Sequence, residues 1–188
     1  MASDGLEVII SDLGEQYDNA FASNCDALIR ADGIYAPCQG CFGCWIRHPA
    51  ECFMKDRLQR VCRIVGKADV LTIVTENFYG SYNPNVKTVL DRSIGLSTPL
   101  STWRGKQMHH TLRYGRHRLF RVIVYGDITE QEKDTFTLMA QKNAVNDGYE
   151  KSEVIFLKFP DDLDNVLCGK QRLSDFVKKI LPDSEDGL

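Results

Sequence analysis

The chain has 188 residues, 43% of them hydrophobic and 26% charged, with a net charge of -3. That mix fits an ordinary globular chain able to bury its apolar surface without disulfide staples, and it excludes the strongly basic balance of a nucleic-acid binder. No apolar run approaches the ~20 residues of a membrane helix, and the N-terminus lacks the basic and apolar regions of a signal peptide. The expected setting is the cytosol, where thiols stay reduced.

Residues 7–10 read as a first strand, rich in Val and Ile. Residues 14–23 follow as a short helix, and residues 27–30 as a short second strand. A loop carrying four of the seven cysteines occupies residues 37–52. Asp56 and Gln59 resemble a capping box, ahead of an apolar face of Leu58, Val61, Cys62 and Val65. Residues 70–75 and 122–125 are apolar without alternation, the pattern of parallel strands covered on both faces. Between them, Asn83 caps a helix with Pro84 in its first turn and a stripe of Val86, Leu90 and Ile94. Thr129 and Glu132 form a second capping box, for a helix running to Asp147 with Gly148 as its stop. Residues 154–159 are the last strand. A helix over residues 171–181 carries Leu173, Phe176, Val177 and Ile180 on one side, and residues 182–188 form an acidic tail.

Strands alternating with helices predict one domain over residues 1–181: a doubly wound five-stranded parallel sheet of order 2-1-3-4-5, in three α/β/α layers. Ligands in such sheets bind at the carboxyl ends of the strands. The loops of interest are therefore residues 11–16, 75–83 and 125–129. In the second of these, Gly80 allows close backbone approach, and Phe78, Tyr79 or Tyr82 can cover a planar ring.

The cysteine loop has the spacing Cys38-x2-Cys41-x2-Cys44-x7-Cys52, with Gly40 and Gly43 loosening the backbone. Four thiolates in this pattern can hold a [4Fe–4S] cluster and, less readily, tetrahedral zinc, but cysteines packed under a loop with no metal are the commoner case. His48 reads as a surface histidine and Cys62 as core, and Cys25 and Cys168 carry no assigned chemistry. The stretch 101–117 reads as a long connection bearing Trp103, Arg104, His109, His110, Arg113, Tyr114 and Arg116. A loop of that length points to assembly or to a cofactor rim. The basic run Arg113, Arg116, His117, Arg118 and Arg121 reads equally as a solvated face.

The string CxGCFxCW…C…KD, followed by ADV…T…YGS…VKxVLDR, resembles the flavodoxin-like NADPH-dependent FMN reductases, and among them the iron–sulfur flavoproteins. The resemblance runs from about Ile34 to Arg92 and more weakly beyond Gly126. It implies a flavodoxin-like fold, FMN as cofactor, NAD(P)H as co-substrate and electron transfer to a small-molecule or protein acceptor. It also implies a homo-oligomer, while the charge balance and the lack of a long apolar run argue for neither nucleic acid nor membrane as a partner. Glu76, Asn77, Phe78, Tyr79 and Gly80 would contact the flavin ring from one side, and Gly126 and Asp127 from the other. Val86, Lys87, Leu90, Asp91 and Arg92 would be mainly structural, and Cys38, Cys41, Cys44 and Cys52 would hold the cluster. The pattern departs from the family after the first strand, where Asp12, Glu15 and Asp18 stand in place of a phosphate-wrapping loop. Only Ser11 and Gln16 offer neutral contacts there. An alternative reading is a non-catalytic binding or assembly module that has lost its phosphate loop.

Overall fold

A computed structural model describes residues 5–167 of the chain. The predicted helix over 171–181, the acidic tail and Cys168 lie outside the described residues. The sheet has five strands, all parallel: β1 (Leu6–Ser11), β2 (Ala27–Arg30), β3 (Ala68–Glu76), β6 (His117–Tyr125) and β7 (Tyr149–Leu157). Their order is β2-β1-β3-β6-β7, the expected 2-1-3-4-5 arrangement. β3 and β6 lie between neighbours on both sides, which accounts for their unbroken apolar runs.

Helices cover both faces. On one, α3 (Val61–Gly66), α4 (Pro84–Arg92) and α5 (Glu130–Asp147) pack Val61, Val65, Val86, Val89, Phe136, Ala140 and Ala144 against Val8, Ile10, Leu71, Ile73, Val122 and Val124. On the other, α1 (Asp18–Ala22) and α6 (Leu163–Leu167) bring Phe21, Leu163, Val166 and Leu167 onto Ile9, Val74, Ile123, Ile155 and Leu157. A short 3-10 turn, Glu15–Tyr17, leads into α1, as the short helix predicted near residue 14 requires. No helix among the described residues is long and apolar enough to cross a membrane.

The caps form as the sequence predicts. The Asn83 side chain accepts from the Asn85 N–H at 2.9 Å. Thr129 and Glu132 make both halves of the capping box, and Gly148 ends α5 at φ +86. The Asp56–Gln59 box does not form. α3 begins only at Val61, because Asp56 Oδ1 accepts from Leu58 N and the carboxylate faces Arg92, while Gln59 Nε2 donates to Glu51. The last strand starts earlier than predicted and ends at Leu157, because its first half pairs along β6 from His117.

The larger correction concerns residues 101–117. They are not a loop. β4 (Ser97–Arg104) and β5 (Gln107–Leu112) form an antiparallel hairpin outside the main sheet. Trp103 pairs with Met108 and Arg104 with Gln107, leaving Gly105-Lys106 as a two-residue turn with Gly105 at φ +60. Gly-X between two strand segments is the readable signal for such a turn. It was masked by Pro99 and by the mostly exposed side chains of β4.

Candidate functional site

The carboxyl ends of β1, β3 and β6 meet at Asp12. Its carboxylate accepts from the Glu76 N–H at 2.9 Å (Oδ2) and from the Tyr125 hydroxyl at 3.0 Å (Oδ1), and the Thr75 hydroxyl reaches it at 3.4 Å. Burial pushes the Asp12 carboxyl up, opposed by the hydrogen bonds from Glu76, Tyr125 and Thr75. The Tyr125 hydroxyl is pushed up as well, by burial first and by the adjacent Asp12 second. Asp12 is thus a half-buried tie between three strand ends. Ser11 is buried, and its hydroxyl accepts from Leu13 N at 3.1 Å. Gln16 is exposed.

The loop after β3 is fixed from within. The Asn77 amide donates to the Asp127 carbonyl at 2.9 Å and accepts from Gly80 N at 3.0 Å, joining the β3 and β6 loops. Glu76, Phe78 and Tyr79 are exposed, Tyr79 at 84%, with Phe78 and Tyr79 edge to face at 5.1 Å. Gly80 is not open to a ligand. It is buried, and a Cβ there would lie 3.2 Å from the Glu132 Cα, so the close approach it allows is that of α5. Asp127 is exposed and Gly126 half-buried at φ +100. Tyr82, the other aromatic of this loop, is core: it packs edge to face on Phe136, and its hydroxyl accepts from Asn143.

The second feature is a cavity of about 100 Å³ lined by all four cysteines of the motif, with Phe42, Phe53, Arg92 and Ile94. Cys38 and Cys41 are exposed, Cys52 half-buried and Cys44 buried. Among the described residues no three Cys, His, Asp or Glu side chains converge as a ready ion-binding group. The Cys41 sulfur accepts from Gly43 N, and Cys44 turns toward Cys62. The S–H of Cys62 lowers the Cys44 pKa to about 7 against burial, with Arg113 and Arg92 adding, while Cys62 is pushed up in exchange. The same single S–H has the Arg92 carbonyl, 3.1 Å away, as its alternative acceptor.

Arg92 anchors this cavity, although the sequence marks it only as part of a helix. Its side chain is wholly buried. Nη1 and Nη2 donate to the two Asp56 oxygens, each at 2.8 Å, and Nη1 also to the Ala36 carbonyl at 2.7 Å. Its Nε is buried without a hydrogen-bond partner among the described residues. The loop is further pinned by Trp45, whose Nε1 donates to Ile94 O at 3.0 Å and whose ring lies 4.6 Å from that of His110. The hairpin therefore backs the cysteine loop. His48 is exposed and Cys62 is core, as expected. Within the basic run, Arg118 pairs with Asp69, Arg121 with Glu153, and Arg113 with the Gly95 and Ser97 carbonyls.

No protein-family model matches the chain, and no curated protein matches it. Solved structures do resemble it. An FMN-dependent NADH-azoreductase from Bacillus anthracis str. Ames Ancestor, in complex with FMN, superposes with a TM-score of 0.56 at 10% identity, over 94% of this chain and 97% of that one. An azoreductase from Bacillus anthracis str. Sterne gives 0.54 at 10% identity, over 93% and 98%. The fold is flavodoxin-like. At such identity the likeness extends to the fold and no further.

Two groups implied by the sequence resemblance meet different surroundings. Four thiols line one cavity beside the buried Arg92, the donor type an iron–sulfur cluster takes, although among the described residues no three of them converge on one point. The residues after β1 do not fit an FMN phosphate, since the Asp12 carboxylate sits at the junction and the exposed Glu15 follows it. The exposed Phe78 and Tyr79 beside the stapled β3 and β6 loops remain compatible with a planar ring.

Proposed function

We propose that this chain is an electron-transfer oxidoreductase of flavodoxin-like fold. It holds a flavin ring against the β3 and β6 loops and an iron–sulfur cluster in the cysteine cavity, and it takes electrons from a reduced nicotinamide nucleotide. The observation that carries the reading is the cavity itself: four cysteines from one loop surround it with Arg92. Bound flavin supplies two-electron chemistry and a thiolate-held cluster one-electron transfer. The FMN-dependent activity named for the Ames Ancestor neighbour supports the flavin part.

The chain's own residues do the rest. Cys38, Cys41, Cys44 and Cys52 would ligate the cluster. Arg92, held by Asp56 and Ala36, sets a fixed positive charge beside the cavity and, after the Cys62 hydrogen bond and with Arg113, helps lower the Cys44 pKa. Phe42, Phe53 and Ile94 limit water at the cavity. Asn77 and Asp12 hold the β3 and β6 loops in register for the ring. A small-molecule or protein electron acceptor, a cytosolic setting and a homo-oligomer belong to the same reading.

The test is anaerobic purification with iron and flavin supplied, followed by a visible spectrum and analysis of iron, acid-labile sulfide, zinc and released flavin. Iron with sulfide, together with flavin, is the expected result. Zinc alone would make the cysteine site structural. The Asp12 tie favours one other reading, a binding or assembly module that has given up its phosphate loop. Protein that takes up neither flavin nor iron would establish that reading and remove the first.

A further inference from the structure

Resting on the flavin reading above, we infer that the ring site selects an isoalloxazine ending in neutral ribityl hydroxyls, as riboflavin does, over one ending in a phosphate dianion. The residues between β1 and α1 carry the inference. A phosphate at such a strand-to-helix junction needs free backbone N–H groups, hydroxyls or a cation. Here the Ser11 hydroxyl is buried under the junction, where its oxygen accepts from Leu13 N. The Asp12 carboxylate sits at the junction itself, tied by Glu76 N and the Tyr125 hydroxyl. Glu15 follows, exposed, in the first turn of the 3-10 segment.

Among the described residues, the nearby guanidiniums are engaged with carboxylates. Asp18 opens α1, and the guanidinium of Arg30 is engaged with it. Arg57 is engaged with Asp32. The Tyr17 hydroxyl donates to Asp161, bringing a further carboxylate to the same edge. A phosphate there would meet Asp12 and Glu15 with both of those guanidiniums committed elsewhere. A ribityl hydroxyl meets the same carboxylates as hydrogen-bond acceptors. The chemistry that repels the dianion therefore welcomes the neutral ligand.

The test titrates the flavin-free full chain with riboflavin and with FMN, followed by flavin fluorescence, at low and high salt. Riboflavin is expected to bind at least about tenfold more tightly, the scale of one close like-charge pair in a partly screened site. Salt should strengthen FMN binding and leave riboflavin unchanged, because the opposing term is repulsion. Glu15→Lys, a change at an exposed position, should narrow the gap by raising FMN affinity alone. FMN binding equal to or tighter than riboflavin overturns the inference and leaves the flavin reading standing. An unchanged gap in Glu15→Lys overturns the assignment to this loop. If neither flavin binds, the flavin reading itself fails and the inference falls with it.

Discussion

Arg92 and Asp56, thirty-six positions apart, form a two-pronged ion pair in which the guanidinium is wholly buried and each contact is 2.8 Å. It joins the end of α4 to the segment after the cysteine loop. Removing Asp56 would leave a buried cation facing the Ala36 carbonyl and the Cys52 sulfur, with no carboxylate against it. Asp56→Ala should cost about 3 kcal/mol of folding stability, measured by urea denaturation at neutral pH. The pair also sets a pH dependence. The hydrogen bond from Arg92 holds the Asp56 carboxyl below its ordinary range. Its stabilisation is therefore present above the unfolded carboxylate pKa near about 4 and is lost as pH falls through the lower folded value. The gap between wild type and Asp56→Ala should shrink below about pH 4.

Asp147 should behave in the opposite sense. It ends α5, where the helix dipole is unfavourable to a carboxylate, and burial raises its pKa to about 7. The folded protein prefers it protonated. Its contribution is full below the unfolded pKa and is lost as pH rises from about 4 toward 7. Asp147→Asn should be nearly neutral at low pH and stabilising by about 1–2 kcal/mol at pH 8. Equal stability of the two proteins at high pH would sink this account.

Iron content should separate the cysteines by location. Cys44→Ser and Cys52→Ser remove cavity-lining thiols and should purify anaerobically with most of the iron and sulfide lost. Cys62 is buried but does not line the cavity, so Cys62→Ser should retain them. Equal retention in all three variants would show that the motif is not the ligand set.

Gly95 lies where the cysteine loop meets α3. A Cβ there would come within 2.8 Å of the Cys62 sulfur and 2.9 Å of the Cys44 Cβ. Gly95→Ala should therefore force Cys44 outward, costing about 1–3 kcal/mol by overpacking. Urea denaturation checks the cost, and faster alkylation of Cys44 by a maleimide, located by mass spectrometry, checks the displacement.

Local chemistry made much of the fold readable in advance. Parallel strands announce themselves by unbroken apolar runs, and Asn83, Thr129 with Glu132, and Gly148 act on groups within a few residues. The four cysteines of the motif lie within fifteen residues, so their shared cavity follows from spacing alone. The hairpin escaped because its pairing sets mostly exposed side chains opposite one another, which leaves little apolar alternation to read.

The sequence by itself determined the doubly wound sheet, most of its caps and the grouping of the thiols. Only the tertiary structure decided what Asp12 and Arg92 do. Read along the chain, Asp12 is one more acidic residue in a loop, and Arg92 one more cation ending a helix. Their partners stand 64 and 113 residues away in one case and 36 and 56 in the other. A carboxylate becomes a strand-end tie, and a guanidinium a buried anchor, only when the fold brings those donors and acceptors to them. That is why the acidic loop after β1 reads as repulsion in sequence and as a built feature of the site in three dimensions.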